Sequence, residues 1–209
     1  MALDNYANLQ AHIITILGRN DMASILPDFI VEAESEMYAN TNEALRLRAM
    51  EVRSTAPTGI VDRFLELPTG FLEMRRLKIN LVDQNDVDIN FRTPDQLTTR
   101  DLAGRPEYFT VTSQLEFERT PDQVYTLSMQ YLARPTPLSD TNTTNAVLDE
   151  FPLIYVYGAL WNAYIMAAEE QKADFFYAKF LNSIAGANAQ DREGRYGPAP
   201  VKRIAGSTP

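Results

Sequence analysis

The side chains that most often perform chemistry are scarce or isolated in this sequence. It contains no cysteine, which excludes disulfides, thiolate metal sites and thiol nucleophiles together. The single histidine, His12, has no second histidine with which to form a catalytic dyad. Nucleophile-elbow and phosphate-loop motifs are absent, and the glycines occur singly. We interpret His12 as a packing or surface residue of an apolar helix.

Several acidic residues are close together in the sequence, and the spacing of one group is similar to that of a calcium-binding loop. Asp83, Asp86 and Asp88 lie within six residues of one another. However, Val87 stands where a third ligand is needed, and no glycine occupies the sixth position of the loop. The spacing therefore favours a solvated turn over a metal site.

Two acidic pairs are the remaining candidates for acid–base catalysis. They are Glu116 with Glu118, and Glu169 with Glu170. Such a role requires that burial or a like charge raise the pKa of one carboxyl group, and nothing in the sequence indicates this. We predict that the protein is not an enzyme and that it needs no cofactor or metal.

The elements that would position these residues fall into three regions. Helical spacing of apolar residues predicts helices over residues 4–18, from Pro27 to between Asn40 and Arg46, over 152–169 and over about 171–187. Between them the period changes to two and predicts about six short strands, including 77–81, 87–91, 108–111, 115–117 and 125–131. A short helix fits TPDQLTTRDLAG. No long crossover joins the strands, so we expect antiparallel pairing.

The predicted fold class is α+β. The N- and C-terminal helices form a helical domain from residues 1–46 and 140–186, and an antiparallel β lobe occupies residues 47–139. The segment 187–209 is rich in glycine and proline and poor in large apolar residues. We predict that this segment is a flexible C-terminal tail.

An uncharged run from Phe151 to Ala168 is the most unusual feature of the chain. Its 18 residues could span a bilayer by length alone. However, acidic residues flank it on both sides, and its tyrosines, tryptophan and asparagine do not suit the hydrocarbon centre. We predict a buried helix without membrane insertion. The cover could come from its own chain or from a second subunit, and the interface candidates are Tyr155, Tyr157, Trp161 and Tyr164.

The whole chain is acidic, with a net charge of -9. This argues against tight wrapping of nucleic acid, whose affinity comes largely from basic contacts to phosphates. An alternative function is a small module whose β lobe binds a ligand or carbohydrate. That function requires exposed aromatic side chains on the strands, and the candidates are Tyr108, Phe109, Tyr125 and Tyr131.

The order of several short motifs resembles the adaptor (head–tail connector) proteins of short-tailed and related tailed bacteriophages. The acidic helix "AESE" is followed by "LR" and "ME", and the strand entry reads "LPTGFLE". The turn "GRPEYF", the strand exit "YLARPTPLS" and the helix "PLIYVYGAL" complete the set. The resemblance covers about residues 20–190.

The resemblance implies a structural role in the virion, at the head–tail junction, after assembly in the host cytoplasm. Such adaptors form a ring, commonly a dodecamer, beneath the portal protein. The ring extends the DNA channel, through which DNA passes without specific binding, and it provides the docking surface for a tail or nozzle protein.

The resemblance also suggests positions for two of these roles. The C-terminal segment typically reaches the portal, so the portal-docking candidates are Tyr196, Lys202, Arg203 and Ile204. Acids that face the channel would let DNA slide, and the channel-wall candidates are Glu32, Glu34 and Glu36.

Overall fold

The computed structural model describes residues 3–39, 43–81 and 85–196, with the side chains of residues 195 and 196 excepted. The chain divides into two compact units. The described residues of Met1–Ala49 and Thr136–Pro209 form a helical unit, and Met50–Pro135 form a β unit. The α+β class predicted from the sequence is confirmed.

The helical unit begins with two amphipathic helices, α1 (Tyr6–Leu17) and α2 (Leu26–Ala39). The side chain of Asn5 accepts a hydrogen bond from the Asn8 backbone N–H and so caps the start of α1. Gly18 ends α1 in the left-handed conformation, with φ of 66°. The buried residues of both helices recur at helical spacing, although Ile16, predicted from the sequence to lie on the apolar stripe of α1, is exposed.

Three further helices follow the β unit in the chain, namely α3 (Ala146–Glu150), α4 (Pro152–Met166) and α5 (Glu170–Tyr196). Pro152 opens α4, where a missing N–H costs nothing. Ala168 lies in the turn between α4 and α5 with φ of 56°, which reverses the chain. The uncharged run is therefore a helix that packs directly against its successor.

The β unit contains two four-stranded sheets. Its strands are β1 (Glu51–Pro57), β2 (Phe64–Leu65), β3 (Phe71–Asn80), β4 (Val87–Asp88), β5 (Asn90–Phe91), β6 (Tyr108–Val111), β7 (Leu115–Phe117) and β8 (Thr126–Ala133). The first sheet has the order β1-β8-β3-β4 and the second has the order β2-β7-β6-β5. Alternate residues of these strands enter one core, which includes Leu77, Phe117 and Tyr131.

The predicted strand 87–91 is correct in position but wrong as a single strand. Ile89 is buried and divides it, so that β4 pairs with β3 whereas β5 pairs with β6 in the other sheet. The pairing of β5 with β6 is parallel, contrary to the expectation of an entirely antiparallel lobe. The chain can make this exchange because a single residue carries it from one sheet to the other.

Two further predictions need correction or lie outside the structure. The short helix expected in TPDQLTTRDLAG is only a 3-10 turn at Pro94–Gln96. Asp83 of the acidic turn lies outside the described residues.

Candidate functional site

Helix α4 is the centre of the helical unit because it packs against both α2 and α5. Gly158 sets the closeness of this packing. A Cβ atom added there would lie 2.7 Å from the Ala33 Cβ of α2 and 3.0 Å from the Phe180 ring of α5. One turn further along the same face, the Asn162 side-chain amide donates to the Phe29 carbonyl of α2. Much of α4 is therefore buried by its own chain.

One side of α4 stays accessible. Leu153, Tyr157, Trp161 and Ile165 recur every fourth residue, so they form a stripe along the length of the helix. The exposed fractions are 47% for Leu153 and 54% for Ile165, whereas Tyr157 and Trp161 are half-buried. We call these four residues the α4 stripe. Contiguous exposed apolar surface of this kind is typical of a protein–protein interface.

Aromatic stacking against α5 holds the middle of the α4 stripe in place. The Trp161 ring centroid lies 4.6 Å from that of Tyr177 and 6.1 Å from that of Phe180. The Tyr157 ring lies 6.2 Å from Phe176. Met166 and Phe175, near the α4–α5 turn, add further exposed apolar area. The aromatic side chains of this surface are thus already held in place. Such side chains lose little conformational entropy when a partner binds.

Two of the four predicted interface residues are not accessible. Tyr155 has no exposed surface, and its hydroxyl donates to the Glu34 carboxylate at 2.9 Å. Tyr164 is buried and stacks on Phe176 at 5.3 Å between centroids. The prediction is therefore wrong for Tyr155 and Tyr164 within one protomer, because α2 and α5 already cover them. For Tyr157 and Trp161 it stays a prediction.

Glu34 is also not the surface residue that the channel-wall hypothesis requires. It is only 7% exposed, and its carboxylate accepts hydrogen bonds from the Tyr155 hydroxyl and from the Leu138 backbone N–H at 3.0 Å. Burial raises the pKa of the Glu34 carboxyl group above its ordinary value, although these hydrogen bonds act in the opposite direction. Glu34 is therefore a structural link between α2, α4 and the loop before α3. Of the remaining candidates, Glu32 is exposed and Glu36 is half-buried.

The last turns of α5 hold the segment that leads into the β unit. The Asn188 side chain accepts from the Arg46 backbone N–H at 2.9 Å and donates to the Ala44 carbonyl at 3.0 Å. The Asp191 carboxylate accepts from the Arg48 backbone N–H at 2.9 Å and from the Arg48 Nε at 3.1 Å. We call Asn188 and Asp191 the α5 clamp.

The α5 clamp corrects the predicted start of the flexible tail. Residues 187–196 are helical, and Asn188 and Asp191 among them bind the 44–48 segment. Tyr196 is the last residue of α5, and its side chain is not described. Lys202, Arg203 and Ile204 lie outside the described residues. Their docking role stays a prediction.

In the β unit, the turn motif "GRPEYF" is organised by a buried carboxylate that the sequence did not single out for this purpose. Glu118 accepts from the backbone N–H groups of Glu107 and Tyr108, at 3.0 and 2.9 Å, and from the Arg119 Nε at 3.0 Å. A side chain at Gly104 would meet the Arg119 guanidinium at 3.0 Å. The Arg119 side chain therefore packs closely against Gly104.

The aromatic platform required by a carbohydrate-binding module is not formed. Phe109, Tyr125 and Tyr131 are buried in the core of the β unit. Only Tyr108 is partly accessible, and the Arg92 guanidinium covers its ring at 4.7 Å. The hypothesis of a carbohydrate-binding module is therefore wrong for these four aromatic residues.

In the part of the chain that the structure describes, no three acidic or histidine side chains are grouped as a metal site would require. No helix there is long and apolar enough to cross a membrane, the uncharged run included.

The helical unit carries an exposed apolar stripe, and the aromatic candidates of the β unit lie mostly in its own core, an arrangement that favours a protein that contacts other proteins. The family model of the SU10 adaptor protein matches residues 4–203, and the chain belongs to this family. It is thus a bacteriophage adaptor with a structural role, and the resemblance found in the sequence is confirmed. No curated protein matches the chain.

Proposed function

We propose that this protein forms a ring beneath the portal, joins the capsid to the tail and extends the DNA channel, without catalysing a reaction. Membership of the adaptor family supports contact with portal and tail proteins in the virion. The ring itself is supported by one observation, the α4 stripe. An apolar surface that the protomer leaves open is what a heterologous contact between neighbouring copies would cover. The expected copy number, twelve, comes from the resemblance.

The ring is tested by measuring particle mass. We would compare the wild-type protein with the double variant Leu153→Glu/Ile165→Glu by native mass spectrometry, alone and mixed with purified portal protein. Both residues are exposed, so the variant should fold normally while losing ring formation or portal-dependent assembly. The matched control is Leu102→Glu, an apolar residue of the β unit that is 81% exposed. If the double variant assembles like the control, the α4 stripe is not the ring contact.

Portal docking by the C-terminal segment needs a deletion that spares the α5 clamp. Removing residues 197–209 takes away Lys202, Arg203 and Ile204 but keeps Asn188 and Asp191. We expect this deletion to abolish binding to purified portal without changing the unfolding transition. Unchanged portal affinity would end the docking proposal.

The proposed channel wall lies on one face of α2. Glu32 and Glu36 lie one turn apart on α2, so they share a face. If that face lines the channel, the Glu32→Gln/Glu36→Gln double variant should raise DNA binding by the assembled particle in a filter-binding assay. Equal DNA binding by variant and wild type would remove both residues from the channel wall.

A further inference from the structure

A basic depression lies on the β unit, in the region that links β5 to β6. Its volume is about 410 Å³, and it is lined by Arg92, Gln96, Leu97, Thr98, Arg100, Tyr108 and Glu118. Among the described residues, no carboxylate lies within ion-pair distance of Arg92 or Arg100. In a chain with a net charge of -9, two arginines that share one depression without an acidic partner call for an explanation.

Both arginines are held by the fold around them. The Arg92 guanidinium stacks 4.7 Å above the Tyr108 ring, and the Arg92 backbone N–H donates to the Phe109 carbonyl at 2.8 Å. The Arg100 backbone N–H donates to the Glu118 carbonyl at 2.7 Å. The fold therefore fixes the backbone of both arginines beside β6 and the residue after β7, and it also holds the Arg92 guanidinium against the Tyr108 ring.

Glu118, the one acidic residue that lines the depression, does not repel an anionic ligand, because its charge is already neutralised. The Glu118 carboxylate is already used by the N–H groups of Glu107 and Tyr108 and by the Arg119 Nε. Its charge is balanced by the Arg119 guanidinium, and its side chain is only 2% exposed. The depression thus offers two uncompensated guanidinium groups together with the hydroxyl of Thr98 and the amide of Gln96.

A second depression of the β unit shows the contrast. It has a volume of about 490 Å³ and is lined by Arg53, Arg76 and Lys78 among others. There, however, Asp88 binds the Arg76 guanidinium at 2.7 Å, and Asp86 lies 3.8 Å from Lys78. Most of its positive charge is matched from within the chain, so it gives no reason to expect an anionic ligand.

We propose that the depression around Arg92 and Arg100 binds a phosphate group. Two guanidinium forks, a hydroxyl and an amide supply more donors than the two oxygens of a carboxylate can use, whereas the additional oxygens of a phosphate match them. The phosphate could belong to the free ion or to the backbone of a nucleic acid, since both present the same oxygens to the site. The proposal does not depend on ring formation.

The test uses the full-length protein with ¹⁵N-labelled arginine and follows the side-chain Nε–H signals by NMR. Sodium phosphate is titrated against sodium chloride at constant ionic strength, and a short DNA duplex is titrated in a second series. We expect saturable shifts of the Arg92 and Arg100 signals. The Arg92→Gln and Arg100→Gln variants should each weaken binding about tenfold, because each removes charge-assisted hydrogen bonds.

Two control variants distinguish phosphate binding at this site from nonspecific binding of phosphate to any exposed arginine. Arg53→Gln removes an arginine from the other depression and should leave the phosphate affinity unchanged. Arg92→Lys keeps the charge but loses the fork, so it should bind phosphate more weakly than the wild type does. Saturation by free phosphate would identify the ion as sufficient, and saturation by DNA alone would identify the phosphodiester as the source. No saturable shift in either series, or an equal loss in Arg53→Gln, would overturn the proposal.

Discussion

The helical unit is assembled from two separate segments of the chain, whereas the β unit is a single segment whose buried carboxylate has only local partners. In the helical unit, Glu34 is bonded to Leu138 and Tyr155, which are 104 and 121 residues away, and Asp191 is bonded to Arg48 across 143 residues. In the β unit, the buried carboxylate of Glu118 binds partners only 10 and 11 residues away. The helical unit therefore forms only when both ends of the chain meet, whereas the β unit is one continuous segment.

This difference predicts that damage to the C-terminal end is most severe in the helical unit. A chain that ends at Gly186 loses the α5 clamp and the buried Ala187, and with them four hydrogen bonds to the 44–48 segment. We expect a loss of about 3 kcal/mol or more in the free energy of unfolding. A chain that ends at Tyr196 should match the full-length protein.

Trp161 makes this measurement specific to one unit, because it is the only tryptophan and it lies in the helical unit. Urea unfolding followed by its fluorescence should shift to lower urea only in the shorter chain. If the two truncated chains unfold at the same urea concentration, the α5 clamp does not stabilise the helical unit.

The next largest effect is expected at the crossing of α2, α4 and α5. Gly158→Ala places a methyl group 2.7 Å from Ala33 and 3.0 Å from Phe180, so the helices must move apart. Overpacking of this kind costs about 1–3 kcal/mol. Thermal unfolding followed by far-UV circular dichroism measures it.

Gly186 provides the matched control for this substitution. It lies inside α5, and nothing stands within 4 Å of the position that its Cβ would take. Gly186→Ala should therefore raise stability by about 0.5–1 kcal/mol, as expected for a helix-interior glycine. A gain in stability from both substitutions would show that helix propensity, and not the packing at Gly158, decides the result.

Local signals predicted α1, α2, α4 and α5 but missed the short helix α3, and they did not predict the helix ends that distant residues fix. Asn5, Gly18 and Pro152 mark helix boundaries by capping chemistry, which acts within a few residues. The segment from residue 187 onward was predicted to be a flexible tail because it contains few large apolar residues. The backbone groups that bind Asn188 and Asp191 belong to residues 44–48, more than 140 residues away in the sequence. No local pattern carries that information.

The residues of the candidate site were predicted in part. The burial of Glu34 was missed, although the sequence of α2 indicates it. Glu34 follows Ile30 by four residues and precedes Met37 by three, so it shares the buried face of α2 with both. Its helical position therefore indicated burial, although its charge suggested the surface. The burial of Tyr155 could not be read in this way, because α4 is apolar on nearly every side.

In the β unit, a comparable loss of a buried carboxylate should stay local. Glu118→Gln removes the charge that balances Arg119 and weakens the hydrogen bonds to Glu107 and Tyr108. We expect a cost of about 1–2 kcal/mol, with faster amide exchange at residues 104–108 and an unchanged Trp161 transition. A shift of the Trp161 transition would show that the units do not respond separately.

The smallest effect expected is the pH dependence contributed by Glu34. Its pKa is raised in the folded protein, so the folded state keeps this proton at pH values where the unfolded state has lost it. Stability contributed by the protonated group is complete below the ordinary glutamate pKa and decreases as the pH rises through the raised value. Glu34→Gln cannot ionise, and its amide oxygen can still accept from Tyr155 and Leu138.

The difference in unfolding free energy between Glu34→Gln and the wild type therefore isolates this titration from those of the other acids. We expect the two proteins to be similar at low pH and the variant to be the more stable one above the raised pKa. Urea unfolding at several pH values between about 4 and 8, read from Trp161, gives that difference directly. The opposite trend, with the wild type gaining stability as the pH rises, would show that the hydrogen bonds from Tyr155 and Leu138 outweigh the burial of the carboxylate.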